Sequence, residues 1–361
     1  MDREFGFAII GWGSIAPFHA RAIAELPGAR LVAVQTSRHH NVETIQKEFG
    51  KQISVGSDLN EILRRQDVHV VNICTPSGAH LDPAVAAARA GKHVVVEKPL
   101  EITLERCDRM IEACRSHAVQ LCTIFPSRFS DANMALGTAV REGRFGRLAL
   151  ADAQVKWWRT QAYYDSGGWR GTWALDGGGA LMNQAIHNVD LLQSLVGPVV
   201  EVAAFTALRA HERIEVEDAA VAAMRFESGA VGTIQATTAA FPGLLKTIAI
   251  HGDAGSAVVE QDRIVVWRFA DEKPDDEEVR RRAAASETSG GAADPKAISH
   301  EGHRRQLTDF LDAIRNGRTP VVDGAEGRRS VEFILAVYHS QATGRVVRLP
   351  LTGETQRPRF A

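Results

Sequence analysis

Phe5-Gly6-Phe7-Ala8-Ile9-Ile10-Gly11-Trp12-Gly13-Ser14-Ile15-Ala16-Pro17 is the stretch that decides the fold. An apolar run of strand length, 5–10, ends on two glycines one residue apart, and a helical pattern over 14–26 follows at once. Strand, glycine turn and helix in that order open a βαβ unit. The alternation continues downstream. Apolar strand runs at 30–36, 53–55, 68–74, 93–97 and 119–124 are separated by helical patterns near 41–49, 58–65, 80–90 and 103–117. Six short strands interleaved with helices predict a doubly wound α/β domain over 1–124, with a parallel sheet covered on both faces.

Near residue 125 the character changes. Segments 147–157, 199–209, 218–226, 230–239, 245–251 and 256–269 read as successive strands, with turns such as Glu227-Ser228-Gly229. They predict an α+β domain over 125–361, built on a mostly antiparallel open sheet with a helix at 180–195 inserted. Two more helices are expected at about 300–316 and 325–341. In 271–297, Asp275-Asp276-Glu277-Glu278 precedes Arg280-Arg281-Arg282 at i,i+4 offsets, and Ala283 opens a small, polar tail. A short exposed helix within a mobile surface excursion is expected there. No repeat at solenoid spacing is present.

The whole chain bounds the function. Its 361 residues suit two domains, since single cores stop growing near ~250–300 residues. It is 45% hydrophobic and 24% charged, which is ordinary for a soluble globular protein. A net charge of -2 provides no field for nucleic acid or an anionic membrane, so neither partner is expected. No apolar run approaches the ~20 residues of a membrane span. Met1-Asp2-Arg3-Glu4 runs straight into an apolar strand, so no secretory signal is expected. Cys74, Cys107, Cys114 and Cys122 show no metal-ligand spacing and read as reduced core thiols of a cytoplasmic protein, with no metal expected.

Gly11-x-Gly13-x-x-Ala16 between a strand and a helix is a dinucleotide fingerprint. Gly11 permits the tight turn, and Gly13 lets the backbone amides of Ser14 and Ile15 approach a pyrophosphate. Ala16 allows close helix–strand packing, and the helix N-terminus adds favourable partial charge. The second strand ends Thr36-Ser37-Arg38, without the acidic residue that would hold a ribose 2′-hydroxyl. Ser37 can donate to a 2′-phosphate and Arg38 can pair with it, which points to NADP. In the alternative Arg38 solvates a loop and NAD binds through hydroxyls.

Two further stretches carry chemistry. Strand five ends in Glu97-Lys98-Pro99, and a lysine at the carboxyl edge of a parallel sheet faces the ligand crevice. Such a lysine can stabilise a developing alkoxide; otherwise Glu97 and Lys98 form a surface ion pair. Gly177-Gly178-Gly179 leads into a helix where Asn183, His187 and Asp190 recur at i, i+4 and i+7 on one face. Met182, Ile186, Val189 and Val196 form an adjacent apolar stripe. His187 is the side chain suited to moving protons near neutral pH.

With these residues in hand, the chain resembles the glucose–fructose oxidoreductase / inositol dehydrogenase (Gfo/Idh/MocA) family. Gly11-x-Gly13-x-x-Ala16, Thr75-Pro76-Ser77-x-x-His80, Glu97-Lys98-Pro99 and the glycine-led run ending His187-x-x-Asp190 match in order, and Tyr338-x-Ser340 looks like the family's C-terminal segment. The resemblance implies a Rossmann domain followed by an α+β domain whose open sheet mediates a homodimer or homotetramer. It implies hydride transfer between nicotinamide and a ring hydroxyl or ketone of a sugar, sugar derivative or cyclitol. It also implies a cis Lys98-Pro99 bond, cofactor contacts at Thr75, Pro76, Glu97 and Lys98, and Trp169-Arg170 near the nicotinamide. His80 either reaches the cofactor or caps its helix. Where many members carry an aspartate, this chain has Asn183, whose amide can bind substrate or orient His187 but cannot act as a base. His187 is therefore expected as general base, with Lys98 stabilising the oxygen and Asn183 positioning.

Residues 157–173 hold four of the six tryptophans and two of the three tyrosines. Aromatics beside arginine suit a carbohydrate: flat faces for ring C–H groups, guanidinium for hydroxyls or carboxylates. Arg159, Tyr164, Trp169 and Arg170 are the candidates, the alternative being a hydrophobic plug between domains. Asp190 is either a substrate contact or structural. The rival to an NAD(P)-dependent dehydrogenase or reductase is a metabolite sensor that binds dinucleotide without chemistry.

Overall fold

The computed structural model describes residues 4–37, 41–285 and 299–360. The chain divides into two compact units, neither continuous in sequence: Met1–Pro126 with Ser299–Arg328, and Ser127–Ile298 with Arg329–Ala361.

In the first unit β1 (Phe5–Ile10), α1 (Ala16–Ala24), β2 (Ala29–Gln35), α2 (Asn41–Phe49), β3 (Ser54–Gly56) and α3 (Leu59–Arg64) form one half of a doubly wound sheet. The other half is β4 (Val70–Ile73), α4 (Leu81–Arg89), β5 (His93–Val96), α5 (Leu104–Ser116) and β6 (Leu121–Thr123). The strand order is β3-β2-β1-β4-β5-β6 and every neighbouring pair is parallel. All residues of β1 and β4 are buried, as expected where helices cover both faces. The order reverses between β1 and β4, so the loops after these strands flank the crevice where such sheets bind ligands.

The expected boundary at 124/125 differs from the compact units. After the second unit the chain returns, and α10 (Glu301–Asn316) packs on α1. The cause is apolar: Leu307, Phe310 and Leu311 are buried in the same core cluster as Phe7, Ile9 and Ile23. Gln306 sets the register, accepting Phe125 N–H at 2.9 Å and donating to Thr123 O at 2.7 Å.

The second unit begins with α6 (Asp131–Arg141), which the sequence reading does not anticipate, then β7 (Leu148–Lys156) and α7 (Gln161–Asp165). A π-helical segment, Ala180–Ala185, runs into α8 (Ile186–Val196). Strands β8 (Val199–Ala207), β9 (Ala219–Phe226), β10 (Val231–Thr237), β11 (Thr247–Gly252), β12 (Gly255–Glu260) and β13 (Arg263–Phe269) follow. The segment expected as one strand at 256–269 is thus two, reversing at Gln261, whose φ is 56°. After α9 (Asp276–Ala285), α11 (Gly324–Thr343) and β14 (Val347–Arg348) complete the unit, α11 starting within the first. The sheet order is β13-β12-β11-β7-β10-β9-β8-β14; β7 and β10 are parallel and the other pairs antiparallel. Alternating burial along β9 shows one covered face and one open face.

The first turn of α9 is docked rather than loose. Asp276 is buried and receives Arg144 at 2.6 and 2.7 Å, Trp267 Nε1 at 2.8 Å and Lys273 N at 2.7 Å. Among the described residues, Glu277–Arg280 and Glu278–Arg281 pair at i,i+3 along this helix. Residues 286–298 of the expected excursion lie outside the described residues. Among the described residues no helix is long and apolar enough to cross a membrane.

Candidate functional site

The glycine turn after β1 fits a dinucleotide. Gly11 has φ +87°, and a Cβ there would press on the Cys74–Thr75 backbone at 3.0 Å. A Cβ at Gly13 would meet nothing within 4 Å. Ala16 is fully buried and opens α1, Pro17 occupies its first turn, and no side chain caps it. The amides of Ser14 and Ile15 thus border a helix terminus suited to an anion. At the end of β2, Thr36 is buried and its N–H donates to Gly56 O at 2.9 Å, while Ser37 is exposed. Arg38 lies outside the described residues.

Thr75 Oγ1 donates to Ala79 O at 3.1 Å, and Pro76 precedes the short helical turn that leads to α4. His80 neither caps α4 nor faces solvent. It is buried, with Nε2 3.0 Å from Thr75 O and Nδ1 3.0 Å from Pro99 O. Its ring therefore ties the loop after β4 to the loop after β5 rather than capping the helix with its side chain.

That second loop carries Lys98. The Lys98-Pro99 bond is cis, as the resemblance implies. Residues 94–102 are buried except Lys98, which is half-exposed. Glu97 is not a surface partner of the lysine: it is buried, and Oε1 lies 2.8 Å from His19 Nε2 and 3.4 Å from His303 Nε2. Burial opposes its ionisation, yet the hydrogen bonds and charges of the two histidines hold it well below the usual carboxylate range. These three side chains are also a donor set that a divalent ion could take, their ligand atoms lying within 4.8 Å of one another.

In the second unit the glycine-led helix is anchored by a residue the sequence reading missed. Glu217 is fully buried and accepts Gly179 N at 3.0 Å, Leu181 N at 2.9 Å and Tyr338 Oη–H at 3.0 Å. A Cβ at Gly179 would collide with the Glu217 carbonyl, so glycine is required there. Burial raises Glu217 to about 7, against the lowering effect of its hydrogen bonds. An acid pair, Glu217-Asp218, directly before an apolar strand was the signal available for it.

Over residues 176–193 every side chain is buried except Asn183 and His187. They are four residues apart and open together on one face of this stretch. Asn183 Nδ2 donates to Asp176 Oδ1 at 2.5 Å, and its Oδ1 accepts Gln184 Nε2 at 2.9 Å. Gln184 Nε2 is also 2.9 Å from Tyr163 Oη, and Gln184 Oε1 accepts Arg159 Nη2 at 3.1 Å. Both ends of the Asn183 amide are thus engaged.

The other candidates divide. Arg159 is buried with its guanidinium 5.0 Å from the Trp157 ring and 5.7 Å from that of Tyr163. Arg170 stacks on Trp169 at 4.8 Å and on Tyr163 at 4.7 Å. Tyr164 belongs to the core: it is buried, its hydroxyl is 2.7 Å from Thr238 Oγ1, and its ring meets His211 edge-on. Tyr163 is the tyrosine in the polar network. Asp190 is 1% exposed and bound bidentately by Arg128 at 2.6 and 2.7 Å.

Comparison with known proteins places the chain among relatives of the same two-part organisation. A family model described as an oxidoreductase family with an NAD-binding Rossmann fold matches residues 5–125. Another, described as a GFO/IDH/MocA C-terminal domain, matches 134–258. The chain is 36% identical to the WlbA dehydrogenase of Bordetella pertussis, whose structure is a complex with NADH and UDP-GlcNAcA. The match covers 98% of this chain and 99% of that one, with a TM-score of 0.89. Its counterpart from Chromobacterium violaceum is 33% identical, over 98% of each chain, with a TM-score of 0.87. The myo-inositol 2-dehydrogenase of Thermotoga maritima is 26% identical over 94% of this chain and 97% of that protein.

Proposed function

Since the chain belongs to the Gfo/Idh/MocA family of NAD-binding oxidoreductases, we propose that His187, Lys98 and Asn183 are the residues through which it interconverts a ring hydroxyl and a ketone of a sugar, sugar acid, sugar nucleotide or cyclitol. The observation that carries this reading is selective exposure. Lys98 is the half-open residue of a buried loop, and Asn183 and His187 are the half-open residues of a buried helix.

The residues divide the work. In alcohol oxidation His187 takes the hydroxyl proton, and the Lys98 ammonium stabilises negative charge on the oxygen as the C–H bond weakens. Asn183, held by Asp176 and Gln184, orients the hydroxyl or His187. Nicotinamide, when bound, supplies the carbon that accepts the hydride. In the reverse direction His187 returns the proton to the ketone oxygen. Arg159, Trp169 and Arg170 supply aromatic faces and guanidinium donors for a polyol ring or carboxylate.

Ser14, Ile15 and the Gly11–Gly13 turn would hold the pyrophosphate. Ser37 and Arg38, with no acidic residue at the end of β2, support NADP; the NADH in the WlbA complexes supports NAD as the alternative. Steady-state kcat/KM with each cofactor decides between them. The open face of the second unit's sheet supports a homodimer or homotetramer, and four free, buried cysteines support residence in the cytoplasm.

The test is a panel of monosaccharides, cyclitols and nucleotide sugars, UDP-linked sugar acids first, following reduced-cofactor absorbance. His187→Asn should lower kcat about 10²–10⁴-fold on the substrate found, with cofactor binding retained. Full turnover in that variant removes the histidine from the mechanism.

A further inference from the structure

Helix α10 brings to the base of the Lys98 loop a histidine that the mechanism above does not use. His303 Nε2 lies 3.4 Å from Glu97 Oε1, and His19 Nε2, from α1, lies 2.8 Å from the same oxygen. The other oxygen, Oε2, accepts the backbone N–H of Lys98 at 3.1 Å. His19, His303 and Glu97 are 0%, 3% and 5% exposed, so water does not substitute for these bonds. The imidazoles meet edge to face with centroids 5.1 Å apart. Asn72 Nδ2, on β4, can only donate, and at 2.9 Å it makes His19 Nδ1 an acceptor, leaving the His19 proton on Nε2 toward Glu97.

The placement of His303 is over-determined. Gln306, one turn along the same face of α10, is bonded to Thr123 and Phe125 at the end of β6. Gly302 lets the helix approach Pro126, where a Cβ would come within 2.9 Å. With His19 and His303 on Oε1 and the Lys98 amide on Oε2 the carboxylate is held at three points; without His303 two remain, and its freedom to shift increases.

We propose that His303 is a positioning residue for the reaction: together with His19 it clamps the Glu97 carboxylate, which in turn fixes the Lys98 backbone and so the origin of the lysine side chain. The proposal rests on the reading of Lys98 as the oxygen-stabilising group. A small displacement of such a group is costly, since misplacement by about 1 Å can lower a rate ~10²-fold.

The experiment is a double-mutant cycle with an independent structural readout. His303→Ala should lower kcat at least about tenfold, with little change in the KM of sugar or cofactor. His303→Gln, whose amide N–H can reach Glu97, should restore most of the loss. In a Lys98→Ala background His303→Ala should lower kcat no further. Amide hydrogen exchange at Lys98 should be faster in His303→Ala and normal in His303→Gln. An equal loss of kcat in both backgrounds, no rescue by glutamine, or unchanged exchange would each overturn the proposal. A stoichiometric divalent metal in the purified protein would overturn it too, because the metal would replace the hydrogen bonds. Faster exchange alongside no wild-type turnover on any sugar would uphold the clamp and overturn the oxidoreductase reading instead.

Discussion

Asn183 is bonded to Asp176 at 2.5 Å, so a carboxylate does stand beside the position where the family usually carries one, seven residues earlier in the chain. Asp176 is buried, and its second oxygen accepts Gly171 N at 2.9 Å. The acid is therefore engaged in holding a turn and an amide, an arrangement that fits the proposed assignment of the proton to His187.

Asp176→Asn keeps the shape of this contact but replaces a charge-assisted hydrogen bond with a neutral one. Such an exchange is worth about 1 to 1.5 kcal/mol, or roughly a tenfold fall in kcat if the orientation of Asn183 matters to the rate. Steady-state kinetics and a melting curve check it together. A lower melting temperature with unchanged kcat would make Asp176 a fold residue alone.

Glu217 gives the protein a pH-dependent stability. Its pKa rises from 4.5 to about 7 on folding, so the folded state binds the proton more tightly. The stabilisation is complete below pH 4.5 and disappears as pH climbs through about 7. Its size is about 3 kcal/mol at most. Wild type should lose more melting temperature across this window than Glu217→Gln, whose side chain does not titrate. Parallel curves would refute the assignment.

Asp190→Ala leaves Arg128 largely buried without its carboxylate. The expected loss is about 3–5 kcal/mol of stability, seen in chemical denaturation. KM values of the protein that remains folded should not move. A raised sugar KM without a stability loss would return Asp190 to the substrate.

How much of this was legible follows from the kind of signal each residue emits. The six parallel strands declared themselves through apolar runs between glycine turns, and the Gly11 loop through its spacing. Lys98 and His187 stand out because a charged or titratable side chain interrupts an apolar element. Asp176 and His303 emit no such signal, and Glu217 emits only an acid pair directly before its strand. Glu217 and His303 work through partners distant in sequence, Glu217 meeting Gly179 and Tyr338 and His303 meeting Glu97, while Asp176 works through local bonds to Gly171 and Asn183 that composition does not announce. Tyr164 and Tyr163 are adjacent, and composition cannot say which one faces inward; the Thr238 hydroxyl decides it. The helix at Asp131–Arg141 escaped notice because its Ala, Gly and Thr content blurs the helical period.

The open sheet face predicts assembly. Phe205 is 82% exposed and lies opposite Val221, 51% exposed, across β8 and β9. Apolar side chains paired in this way mark a contact surface. Wild type should run as a dimer or tetramer by light scattering, and Phe205→Glu as a smaller species. An unchanged mass would place the interface elsewhere.

The return of α10 to the first unit has a consequence for biogenesis. Leu307, Phe310 and Leu311 together contribute about 6 kcal/mol of apolar burial, comparable with the whole stability of an ordinary domain. The core of the amino-terminal half is therefore completed only by residues more than three hundred positions along the chain. During synthesis the apolar flank that α10 covers is the last part of that core to be supplied, and exposed surface of this kind is what favours aggregation and chaperone binding in nascent chains.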